Sequence, residues 1–172
     1  MILETLNDLL GKRADQGLVD EIKETICCHE NVNGAYDLIL HNYGPEKIIG
    51  SVHIEIPDTM TMEELDRLER QITLEVYQKH GVTMAAIGIY TIDTDDEEAM
   101  RLREEITEIA MSHEGVLQLH GFHIYKEEKL IVFDLIIDYS LGDRDSLFKH
   151  ISDEIAEKYP EYKVFINPDI DI

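Results

Sequence analysis

An internal repeat constrains this chain more than any other feature. The order helix, strand, strand, helix, strand reads twice along it, and the two helix-to-strand junctions share letters: His29-Glu30-Asn31-Val32 answers His113-Glu114-Gly115-Val116. With 172 residues, each copy has about 80, a size at which a lone core is only modestly stable. Two such units are expected to pack on each other or on a partner.

The elements follow from periodicity. Ile2, Leu3, Leu6, Leu9 and Leu10 recur at helical spacing up to Gly11, and a turn is expected over 12–17. Leu18, Val19, Ile22 and Ile26 mark the next helix, with Asp15 as its cap. Gly34–Tyr43 and Lys47–Ile56 read as a hairpin, the second strand alternating Val52, Ile54 and Ile56 against Ser51, His53 and Glu55. Thr61 with Glu64 is a capping box opening a helix that ends near Gly81, and Thr83–Asp93 is a third strand. Thr94 with Glu97 then opens the second round as another capping box. Its helix runs through about His113, its strands over Val116–Tyr125 and Leu130–Tyr139, its second helix over 143–159, and its last strand over Tyr162–Asn167, before Pro168. If Val52, Ile54 and Ile56 are matched to Phe133, Leu135 and Ile137, His53 takes the place of Asp134. Each copy is therefore expected to be an α+β layer, a three-stranded sheet with two helices on one face.

Charge and cysteine usage limit the function. The formal charge of −22 divides as 15 acids against 5 bases over 15–93 and 20 against 8 over 94–172, so both copies are acidic and repel a phosphate backbone. Nucleic acid is excluded as a partner, and cations are attracted. Cys27 and Cys28 are adjacent and cannot staple distant segments, which fits a reducing cytosol; as small hydrophobes they are expected in the core. No apolar run is long enough to cross a membrane. The chain has no G-x-x-x-x-G-K-S/T, H-E-x-x-H, G-x-S-x-G or C-x-x-C motif, so the reading is a protein that binds rather than catalyses.

Eight histidines among many carboxylates make metal binding the chemistry to weigh. His53 sits on the outward face of its strand beside Glu55. His120 and His123, three apart on a strand, are expected to point to opposite faces and so not to chelate one ion. Asp93, Asp95 and Asp96 lack the glycine and closing glutamate of a calcium loop and read as a helix start; Asp169 and Asp171 read as a frayed acidic end.

The succession Leu6-Asn-Asp-Leu-Leu-Gly11, Leu18-Val19-Asp-Glu-Ile22, Val32-Asn-Gly34-Ala-Tyr36-Asp37-Leu38, Ser51-Val52-His53-Ile-Glu55-Ile56 and the helix from Thr61 resembles the cytoplasmic C-terminal domain of the cation diffusion facilitator transporters. The likeness covers residues 1 to about 93, and 94–172 resemble a divergent second copy. It implies tandem ferredoxin-like (metallochaperone-like) modules over 15–93 and 94–172, with 1–14 a linker helix after a membrane segment. It further implies a homodimer in the cytosol, attached to the membrane domain of the same divalent-cation efflux transporter, with zinc, manganese or iron as bound and sensed ions. Carried over singly, the family's ligand positions fall on Tyr36, His53, Asp66, Tyr90 and Asp93 in the first copy. In the second they fall on His120, Asp134, Lys149 and Asn167. The metal candidates are thus His53, Asp66, Asp93, His120 and Asp134, and neither copy keeps the full set. A tandem ferredoxin-like module that binds a small molecule between its copies is the alternative.

Overall fold

The computed structural model describes residues 16–43 and 47–169. Ten elements occupy them: α1 (Gln16–Cys27), β1 (Gly34–Asn42), β2 (Ile48–Pro57), α2 (Met62–His80), β3 (Val82–Ile92), α3 (Glu97–Met111), β4 (Val116–Tyr125), β5 (Leu130–Ile137), α4 (Arg144–Lys158) and β6 (Lys163–Asp169). They divide into two compact units with the boundary between Tyr90 and Thr91. The helix expected over Ile2–Leu10 and the Asp15 cap lie outside the described residues. Gln16 and Gly17, read as turn, already belong to α1.

Each unit is one ferredoxin-like module, helix-strand-strand-helix-strand. The sheets run in the order β1-β2-β3 and β4-β5-β6. β1 and β2 are antiparallel, as are β4 and β5, while β5 and β6 are parallel. A parallel neighbour cannot be reached by a tight turn, so α4 carries the chain from β5 back to the start of β6.

The cores are the apolar stripes that the periodicity marks. Val19, Ile22 and Ile26 of α1 and Leu68, Ile72 and Val76 of α2 bury against Val52, Ile54 and Ile56 of β2. Leu102, Ile106 and Ala110 of α3 with Ile151 and Ile155 of α4 bury against Phe133, Leu135 and Ile137 of β5. Each fully buried Ile or Leu contributes about 1.5–3 kcal/mol by leaving water. Cys27 and Cys28 are exposed instead. Thr25 takes the inward place near the end of α1, its Oγ1 2.9 Å from His80 Nε2, and Cys27 falls on the far side of the stripe that ends at Ile26.

Helix starts follow local chemistry. Thr61 and Glu64 form the reciprocal capping box, and α2 stops at Gly81, whose φ of 67° is the left-handed cap that glycine adopts freely. The second box does not form: Asp96 caps α3, accepting from the Glu98 and Ala99 amides, because its short carboxylate reaches them directly and also pairs with Lys126. Asp143 caps α4 through the Ser146 amide. β6 runs through Pro168 rather than stopping before it, which an edge strand permits.

Both first strands carry a bulge at the same place. In β1 the register slips between Tyr36 and Ile39, with Asp37 at φ 54°; in β4 it slips between His120 and His123, with Gly121 at φ 61°. The extra residue overturns the expectation for the paired histidines. His120 faces Asp134 and His123 faces Val132, two residues apart on β5, so both lie on the face away from the helices.

Gly121→Ala places a Cβ in the left-handed region and should lower stability by about 1 kcal/mol in urea unfolding. The Ser146 side chain, and then its amide, hold the Asp143 carboxyl below its usual range. A folded pKa below the unfolded one adds stability that is complete above the unfolded value and lost as pH falls through the folded value. The advantage of wild type over Asp143→Asn should therefore be largest at neutral pH and shrink below about pH 4, read from urea midpoints across pH.

Candidate metal centre

The second unit brings four polar side chains together on its sheet. The bulge in β4 turns His120 onto the face of Asp134, its register partner on β5. His120 is 2% exposed, its Nε2 lying 3.2 Å from Asp169 Oδ2 and 3.9 Å from Asp134 Oδ2. Asn167 of β6, opposite Asp134 in the parallel ladder, donates from Nδ2 to Asp134 Oδ1 at 2.8 Å, which fixes the carboxylate plane. Asp169 is therefore a strand residue beside an imidazole and not a frayed end. Reading past Pro168 would have found it, since in a parallel edge strand residues 167 and 169 share a side.

The first unit repeats the geometry with other chemistry. Tyr36 stands opposite His53, and the left-handed Asp37 follows it. His53 Nδ1 lies 2.9 Å from Asp37 Oδ2, and the same oxygen accepts from the Tyr90 hydroxyl at 3.0 Å. The His53 ring stacks on Tyr90, centroids 4.7 Å apart and planes 24° apart. It also lies over Gly88, where an added Cβ would come within 2.0 Å of its Cδ2. His53 is thus half-covered by β3 rather than standing in solvent, and Glu55, expected to face outward, is 3% exposed.

The remaining sequence candidates stand apart. Asp66 projects from the exposed side of α2 and is gripped by Arg70, with Nε and Nη2 at 2.9 and 3.1 Å. The bonded guanidinium holds its carboxyl below the usual range. Asp93 follows β3 ahead of α3 and lines a groove with Arg103, Glu104 and Thr107. Among the described residues neither shares a potential ligand cluster with the histidine of its own unit. Asp37, Asp169 and the helix-layer group of His113, His150 and Glu154 were not found by pattern. The first depends on a bulge, the second on a strand running through proline, and the third on helix-to-helix contact.

The Tyr90 hydroxyl donates to a half-buried carboxylate, so Tyr90→Phe should cost about 1 kcal/mol in urea unfolding while leaving helix content unchanged.

A family model described as "Cation efflux protein, cytoplasmic domain" matches residues 14–89 and 100–170, one match in each unit. Among solved structures, a substituted MamM C-terminal domain in its nickel form is 15% identical, covering 47% of this chain and 100% of its own at a TM-score of 0.39. A MamM C-terminal domain without a named metal, also 15% identical, covers 46% and 98% at a TM-score of 0.38. A copper form of another substituted MamM C-terminal domain is 15% identical over 46% and 98%, at 0.39. No curated protein matches the sequence.

Proposed function

The chain belongs to the family of cation efflux protein cytoplasmic domains, and from that premise we propose that it is the dimerising, metal-sensing regulatory part of a divalent-cation efflux transporter. The observation that carries the sensing role is the arrangement of His120, Asp169 and Asp134 in the second unit. One imidazole nitrogen with carboxylate oxygens on two sides is a donor set for zinc, manganese or iron, and the Asn167 bond to Asp134 is the outer support that a ligating carboxylate takes.

A bound divalent ion would supply positive charge beside the two carboxylates that neighbour the His120 imidazole. The chain's own residues do the rest. The β4 bulge aims His120, Asn167 holds Asp134 so that Oδ2 faces the imidazole, and the parallel ladder brings Asp169 alongside. The first unit fits the role poorly. His53 Nδ1 is engaged by Asp37, the rest of the ring is packed over Gly88, and the residue opposite is a tyrosine, a weak ligand at neutral pH. We assign that unit to scaffold and the second unit to sensing.

Association has a physical reason. A net charge of −22 per chain makes two copies repel, and each bound cation lowers that repulsion, so metal favours the tighter dimer. Sedimentation of the chain with and without zinc should show a metal-dependent gain in dimer, and the His120 ring resonances should shift at micromolar zinc. Asp169→Asn, nearly isosteric, should weaken the His120 response by about tenfold or more. Unmoved His120 resonances with zinc, manganese and iron would end the sensing role, and a monomer at every concentration would end the dimer role.

A further inference from the structure

We infer that the helix layer of the second unit carries a separate site for one divalent cation of zinc's class, formed by His113, His150 and Glu154. Their ligand atoms all lie within 4.8 Å of one another, on the side of the unit that the sheet-face group does not use. His113 follows the last turn of α3. His150 and Glu154 are four apart on α4, which places them on one stripe beside the buried Ile151 and Ile155.

The geometry fixes which atom of His113 is offered. Its Nδ1 is 2.9 Å from the Ile109 carbonyl oxygen, and a carbonyl only accepts, so Nδ1 carries the proton. In the neutral ring Nε2 is then a lone pair, and it lies 3.2 Å from Glu154 Oε2. Two lone pairs at that distance repel unless a proton or a cation stands between them. The His150 ring meets His113 edge-to-face, centroids 5.3 Å apart at 76°, which brings a second imidazole to the same place. A single metal ion satisfies all three groups at once. The hydrogen bond from Nδ1 to a backbone carbonyl is the support that metal-ligating histidines take. The carbonyl end of α3 adds negative potential, and the unit's surplus of 12 acidic charges adds more. Two imidazoles and one carboxylate, with further positions left to water, suit zinc over magnesium or calcium.

The first unit is a built-in comparison. His29 stands at the His113 place, and Glu75, three residues past the core Ile72 as Glu154 is past Ile151, lies 3.6 Å from His29 Nε2. The His150 position there is Gln71. Both units keep the histidine and the glutamate, and only the second adds the third ligand.

Side-chain resonances of the histidines, followed during zinc and magnesium titrations of the full chain, test this. Zinc should shift His113 and His150 together, whatever His120 does, and magnesium should not. His150→Ala and Glu154→Gln alter exposed groups and should weaken the His113 response by about tenfold or more, while Gln71→His should confer a zinc response on His29. A His113 ring that zinc leaves unmoved up to millimolar concentration, or one whose response survives His150→Ala unchanged, would overturn the assignment.

Discussion

A bulge at the same place in the first strand of each unit decides which side chains meet on the sheet. A regular β4 would place His120 and His123 on opposite faces. With Gly121 in the left-handed region, the strand gains a residue without gaining a step, and both histidines lie on the side of Asp134. The same device in β1 puts Asp37 where its carboxylate reaches His53 and the Tyr90 hydroxyl. The core uses the same bulge: Leu119 and Ile124, five apart and so on opposite faces of a regular strand, both meet inward residues of β5, Leu135 and Ile131. The bulge thus sets the core face and the chemistry of the opposite face together.

The duplication separates a shared frame from divergent contents. The frame is the bulge, the helix stripes and the histidine at the end of each unit's first helix. The contents differ at the paired positions: Tyr36 opposite His53 in one unit, His120 opposite Asp134 in the other. The first arrangement closes on itself through a stacked ring and an internal hydrogen bond. The second presents an imidazole between carboxylates. Similar backbones therefore carry a packed aromatic junction and a candidate cation site.

Much of the fold was legible in the sequence because its signals are local and periodic. Leu68, Ile72 and Val76 mark a helix stripe, Val52, Ile54 and Ile56 a strand face, and Thr61 with Glu64 a reciprocal cap. Where two local signals competed, the shorter reach won: Asp96 and not Thr94 caps α3. The site was only half legible. Matching the copies paired His53 with Asp134, and the family's ligand positions pointed to His120. Asp37 and Asp169 were missed, because alternation assumes a strand without an extra residue and a strand that ends at proline. Cys27 was placed inside on composition, but position on the helix decides burial, and its azimuth lies past the stripe.

Pro168 has one more effect. It sits in the last strand of its sheet, where every amide pointing outward is a place for a foreign chain to dock. Proline supplies no N–H, so the outer rim lacks a donor one residue before Asp169, in a strand that also exposes Phe165. A stray β-segment zipping along this rim would lose its ladder there, which lets the strand keep an apolar side chain on its margin without seeding fibrils.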